Sequence, residues 1–181
     1  MTDLPPIVGL AGPKRAGKGT AARALTDAGY QLVSFARPLK DMLIAMGLTE
    51  RDLDEGKELP HPLLGGLQPR WAMQSLGTEW MRKLVCQDGW VNIARHRIAQ
   101  WRDKGQRVVV DDCRFDNEGV MLRGLGAPII EITRPGYAYN PVHASEVGLS
   151  RHLIAASIAN DRTPEQLRER LWEALRQPVA T

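Results

Sequence analysis

One segment limits the folds open to this chain more than any other: IVGLAGPKRAGKGT, residues 7–20. A β-prone apolar run, Ile7–Ala11, is followed at once by Gly12, four residues, Gly17 and Lys18, the G-x-x-x-x-G-K spacing of a phosphate-binding loop. Glycines let the backbone curl so that successive N–H groups point inward, and the helix that follows adds positive potential where a phosphate would sit. Lys18 would reach the outer phosphates. Gly19 stands where Ser or Thr is usual, with Thr20 one place later, so the spacing does not decide which hydroxyl would meet a magnesium ion. Lys14 and Arg15 put two further cations in the loop, readable as phosphate contacts or as solvated surface charge.

A strand–loop–helix start of this kind belongs to a parallel sheet covered by helices, and the rest of the chain keeps that alternation. Strands are expected at Ile7–Ala11, Gln31–Phe35, Arg107–Asp111, Pro128–Thr133 and His152–Ala159. The runs VVV and PIIEIT are nearly continuous in apolar character, as strands buried on both faces require. Helices are expected at Lys18–Ala28, Arg37–Met46, Asn117–Leu125 and Pro164–Arg176, with two more in Arg70–Lys104 broken near Gln87-Asp88-Gly89. Two Pro- and Gly-rich stretches, Thr49–Pro69 and Arg134–Ser150, read as mobile loops. At 181 residues, against ~150 for a typical domain, one domain is expected.

Composition narrows the function classes. The chain has 24 Lys+Arg against 21 Asp+Glu, a net +3 that is too small for a nucleic-acid coat. Eighteen of the 24 are Arg, the side chain whose fork suits phosphate. No stretch approaches the about 18 uninterrupted apolar residues of a membrane helix, and MTDLPPIVGL lacks the basic start and apolar run of a secretion signal. The cytoplasm is the expected compartment, with no nucleic acid and no membrane as partner. Cys86 and Cys113 form no CxxC pair and are expected as buried thiols.

A phosphate loop serves kinases, GTPases, motors and transporters alike, so other residues must choose among them. The run VVVDDCRFDNE ends the third expected strand in acids. Ligands of open α/β sheets gather beyond the carboxyl ends of the strands, so Asp111 and Asp112 would emerge beside the loop, one of them turned toward it. An aspartate there can hold a magnesium shell or orient the attacking oxygen. Arg114 follows closely enough to reach a phosphate, while Asp116, Asn117 or Glu118 would cap the next helix. No N-K-x-D signature of a GTPase is present, and the size disfavours a motor. A small kinase that closes over two substrates and excludes water fits best.

Several motifs together resemble the bacteriophage-type deoxynucleoside monophosphate kinases, a branch of the P-loop nucleoside monophosphate kinases. They are GPKRAGKGT (12–20), FARPLKDML (35–43), QSLGTEWMR (74–82) with DGWV (88–91), DDCRFDNE (111–118), ITRPG (132–136), HASE (143–146) and IANDRTPEQL (158–167). The resemblance implies a three-layer α/β P-loop kinase domain over residues 1–181, its five-stranded parallel sheet in the order 2-3-1-4-5 with helices on both faces, an acceptor-side insertion at about 37–104 and a lid at about 134–150. It implies transfer of the γ-phosphoryl group of ATP, with Mg2+, to a deoxynucleoside monophosphate. Donor phosphates would lie on Gly12, Lys14, Arg15, Ala16, Gly17, Lys18, Gly19 and Thr20, with Arg134 approaching ATP from the lid and Asn160 near adenine. Lys40, Gln74, Thr78, Arg82, Asp112 and Arg114 would hold the acceptor. Lys18, Arg114 and Asp112 would act in catalysis, and Thr20 and Asp112 would meet the metal. A homodimer is compatible with the resemblance. Phosphomevalonate and dephospho-coenzyme A kinases, or an ATP-binding module without turnover, are the alternatives. Where the resembled sequences commonly read FADPLK, GKDT and RFPNE, this chain has Arg37, Gly19 and Asp116.

Overall fold

Strand β1 (Ile7–Ala11) is buried along its whole length, which only a central position in a sheet covered on both sides allows. The computed structural model describes residues 4–139 and 147–176. Around β1 lie β2 (Tyr30–Val33), β3 (Arg107–Val110), β4 (Ile129–Thr133) and β5 (Ala156–Ala159). All four pairings are parallel and the order is β2-β3-β1-β4-β5, as the family resemblance implied. Alternation along β1 divides its side chains. Val8 and Leu10 join α1 (Lys18–Asp27) and α7 (Pro164–Arg176) in one apolar cluster with Val109, Ile130, Ile132 and Ile158. On the opposite face Gly9 lies under Leu122 of α6 (Asp116–Gly124), so close that an added methyl group would touch it.

The chain gathers into two compact units, Met1–Ser34 with Ala94–Thr181, and Phe35–Ile93. The second holds α2 (Arg37–Ala45), α3 (Glu50–Asp54), α4 (Pro69–Gln74), a π-helical run at Ser75–Val85, and the start of α5 (Gly89–Asp103). Its apolar side chains form two clusters, Leu43, Leu48, Leu53 and Ala72 in one, and Leu39, Met81 and Trp90 in the other.

Several sequence expectations are corrected. Thr49–Pro69 is not irregular throughout, because α3 lies inside it behind a capping box. The Thr49 hydroxyl accepts from the Asp52 N–H at 3.2 Å, the Asp52 carboxylate accepts from the Thr49 N–H at 2.8 Å, and Leu53 is fully buried. The helix expected after Arg70 changes type at Ser75. The indole N–H of Trp90 donates to the Gly77 carbonyl at 2.9 Å, and the Cys86 N–H donates to Met81 O across five residues, so the ladder is wider than that of an α-helix. Residues 151–153 form a 3-10 turn, so β5 is four residues long and does not start at His152. Cys86 is exposed, since it ends the π-helical run in extended backbone, whereas Cys113 is buried as expected. Residues 140–146, including HASE, lie outside the described residues. Among the described residues no helix is long and apolar enough to cross a membrane.

The turn that leads from β3 into α6 is held by a buried carboxylate. Neither Asp116 nor Asn117 caps the helix; Glu118, only 2% exposed, reaches back to accept from the N–H groups of Arg114 at 2.8 Å and Phe115 at 3.1 Å. Asp116 instead accepts from the N–H and hydroxyl of Ser150. These bonds hold the carboxylate of Asp116 below the usual carboxylate range. Replacing Glu118 by Ala should leave two partly buried N–H groups without their acceptor and lower stability by about 1–3 kcal/mol in urea unfolding, with the sheet retained. A variant as stable as the parent would show that Glu118 does not organise this turn.

Candidate active site

The turn between β1 and α1 is built around a lysine folded inward. Gly17 precedes α1 at φ 110°, a left-handed conformation that brings the first N–H groups of the helix to the loop. A β-carbon on Gly17 would run into the side-chain amide nitrogen of Asn160, so a side chain is excluded on two counts. Ala16 is fully buried, while Lys14, Arg15, Gly19 and Thr20 are exposed. The Lys18 ammonium donates to the carbonyls of Gly12 at 2.7 Å and Pro13 at 2.8 Å. Burial and then the nearby Arg114 guanidinium pull its pKa down to about 8, against the opposing pull of Asp111 and Asp112. Lys18, Arg114 and both aspartates therefore share one electrostatic environment.

The sheet order explains that convergence. β3 and β4 flank β1, so the residues leaving their carboxyl ends emerge on either side of the loop. On the β3 side Asp112 accepts a 2.6 Å hydrogen bond from the Ser34 hydroxyl, and Arg114 is exposed. Asp111 and Asp112 both follow directly on β3, which ends at Val110, and both charges oppose the lowering of the Lys18 pKa. On the β4 and β5 side Asn160 donates to the Ala16 carbonyl at 2.8 Å and its own N–H donates to Thr133 O at 2.7 Å. Arg134 points an N–H at the Arg15 carbonyl at 3.5 Å. Sequence reasoning missed Ser34; the signal was its place beyond β2, next to β3 in the sheet.

The other candidates lie in the unit Phe35–Ile93. Lys40 on α2 is paired with Asp54 at 2.7 Å, and Arg37 with Asp41 at 2.7 Å and Glu50 at 2.6 Å. Gln74 ends α4, while Thr78 and Arg82 follow at four-residue steps in the π-helical run, so the three line one flank. All three are half-buried, and Arg82 donates to Gln87 O at 3.4 Å. Trp90 is a core residue, whereas Trp80 is 38% exposed. Among the described residues no group of three or more His, Cys, Asp or Glu gathers as a metal site.

The fold and loop are those of the P-loop kinases. A solved dephospho-CoA kinase from Campylobacter jejuni superposes with a TM-score of 0.52 over 93% of this chain and 94% of that one, at 12% identity, a likeness of fold. The profile of the family described as deoxynucleotide monophosphate kinase matches residues 67–171. A putative deoxynucleotide monophosphate kinase of Acanthamoeba polyphaga mimivirus is 34% identical over 88% of this chain and 91% of its own. The deoxynucleotide monophosphate kinase of Enterobacteria phage T4 is 27% identical over 68% of this chain and 56% of its own. The chain belongs to the deoxynucleotide monophosphate kinase family and is a phosphotransferase.

An anion in the loop favours the charged form of Lys18, so binding should take up a proton where the empty loop has lost one. Calorimetry with sulfate, an anion that does not itself titrate in this range, in buffers of different ionisation enthalpy should show uptake near pH 8–9 and little at pH 7, and Lys18→Ala should abolish it. Uptake unchanged in that variant would assign the proton elsewhere.

Proposed function

We propose that this chain transfers the γ-phosphoryl group of ATP to the phosphate of a 2′-deoxynucleoside monophosphate, giving ADP and the deoxynucleoside diphosphate, in the cytoplasm. The observation that carries the reading is the grouping of Lys18, Arg114, Asp111 and Asp112 beyond the strand ends, in a chain whose relatives are named deoxynucleotide monophosphate kinases. Donor phosphates would replace the Gly12 and Pro13 carbonyls as partners of Lys18. The loop from Gly12 through Lys14, Arg15, Ala16, Gly17 and Gly19 would wrap the β-phosphate with N–H groups, with Arg134 on its outer side and Asn160 steadying the loop toward the adenine end. Arg114 would take the acceptor phosphate, and the roles of Lys40, Gln74, Thr78 and Arg82 as acceptor contacts rest on the family resemblance.

The attacking oxygen of a monophosphate is already ionised, so positioning and charge neutralisation carry the reaction with no strong base required. One acceptor oxygen bonds to the γ-phosphorus as its bond to the β-bridging oxygen breaks, and the leaving electrons stay on ADP. The Asp112 carboxylate and Thr20 hydroxyl are hard oxygen donors, the type magnesium prefers, and an ion that keeps most of its water and phosphate ligands needs only such sparse protein contacts. When bound, magnesium would neutralise phosphate charge, and Asp112, which accepts a hydrogen bond from Ser34, would be one of the residues that hold it.

An acceptor panel with ATP and magnesium tests the reading: the four deoxynucleoside monophosphates, the matching ribonucleotides, phosphomevalonate and dephospho-coenzyme A. A deoxynucleoside monophosphate should give the highest kcat/KM. Best turnover of either of the last two would overturn the acceptor assignment, and absence of ADP release with every acceptor would favour a binding module. Lys18→Ala should lower kcat by ~10²-fold or more with the fold intact, because a cation leaves the transferring group. Arg114→Ala should raise the Kd of the acceptor more than that of ATP; the reverse would exchange the two sides.

A further inference from the structure

Beyond the strand end at Thr133, Arg134-Pro135-Gly136-Tyr137 turns back on itself. The Tyr137 N–H donates to Arg134 O at 3.0 Å and the two residues form an isolated antiparallel bridge. Proline at the second position and Gly136 at φ 80° at the third are the signature of a type II turn, whose third residue must be left-handed. The turn returns the Tyr137 ring to the Arg134 side chain, with the guanidinium carbon 5.2 Å from the ring centroid. The return leg is held independently. The Tyr139 hydroxyl donates to Glu131 of β4 at 3.0 Å, and the Tyr139 ring lies against Gly148 so closely that a β-carbon there would clash.

We propose that Tyr137 is a positioning residue that holds the Arg134 guanidinium over the phosphate loop without consuming its hydrogen-bond donors. The inference rests on the donor-side reading of Arg134. An arginine beside a phosphate site must be fixed in direction, yet a carboxylate partner would neutralise it and occupy the fork that phosphate needs. Contact with an aromatic face uses only the flat surface of the cation and leaves the N–H edge open. Among the described residues that edge meets the Arg15 carbonyl, at the long distance of 3.5 Å, in the loop that would receive the donor phosphates. A long side chain ordered before the ligand arrives loses less freedom on binding, and the return appears in affinity for the donor nucleotide alone.

Steady-state kinetics with ATP and the best deoxynucleoside monophosphate test this on four variants: Tyr137→Leu, Tyr137→Phe, Arg134→Ala and the Arg134→Ala/Tyr137→Leu double. Tyr137→Leu should raise the KM for ATP roughly threefold, the scale of an exposed cation–π contact, and leave the acceptor KM within about twofold. Tyr137→Phe keeps the ring and should restore the parent value. Arg134→Ala should raise the KM for ATP further, and adding Tyr137→Leu to it should change nothing more. An effect of Tyr137→Leu that persists without Arg134, one that falls equally on the acceptor, or a Tyr137→Phe variant as impaired as Tyr137→Leu would overturn the positioning role. If Arg134→Ala leaves the KM for ATP unchanged while turnover continues, Arg134 is not a donor contact and this inference falls with it, the kinase reading itself standing.

Discussion

A lysine ammonium taken out of water needs oxygen atoms around it, and in this chain it finds them in the loop that presents it. Lys18 spans the loop to the carbonyls of Gly12 and Pro13, and burial still brings its pKa down to about 8. Those two carbonyls are neutral dipoles. A polyphosphate offers full negative charge at the same place, so exchanging partners would strengthen the interaction of a charge that is already desolvated. The geometry around the loop keeps that exchange open: Gly17 carries no side chain to obstruct it, and Asn160 fixes the Ala16 carbonyl to the neighbouring strand end.

Sheet order then decides which other residues can act on that charge. With β1 at the centre, Asp111, Asp112 and Arg114 arrive from β3, while Arg134 and Asn160 arrive from β4 and β5. The two sides differ in character. The β3 side combines two carboxylates with one arginine and is organised by the buried Glu118 and by Ser34. The β4 and β5 side offers donors: the Asn160 amide and a guanidinium held on an aromatic face. The loop is therefore bordered by acids on one side and by hydrogen-bond donors on the other.

Much of this was legible in the sequence because its signals are local and periodic. The loop, its strand and its helix were announced by glycine spacing and β-branched runs, and Thr163 with Pro164 marked the start of α7, where Thr163 and Gln166 cap each other. What was missed depended on partners far apart or on signals overruled by others. The Pro and Gly content of Thr49–Pro69 hid the Thr49–Asp52 capping box, although T-x-x-D is itself a helix start. The π-helical run could not be read because Gly77 gives its carbonyl to Trp90, thirteen residues away. Asp116 looked like a cap and is tied to Ser150 instead, a pairing across 34 residues that no local pattern announces.

Arg37 is the departure from the resembled motif that sits nearest to Lys40, and its surroundings decide what it can do. Its guanidinium is committed to Asp41 and Glu50, and all three side chains are more than 40% exposed. Lys40 is less exposed at 23% and faces the single carboxylate of Asp54. Exposed pairs of this kind are each worth well under about 1 kcal/mol, so a phosphate could draw either cation away at small cost. The difference lies in number: Arg37 would leave two carboxylates behind and Lys40 only one. An incoming dianion therefore meets less residual negative charge at Lys40, and Arg37, surrounded by its own acids, acts as a tie between α2 and α3.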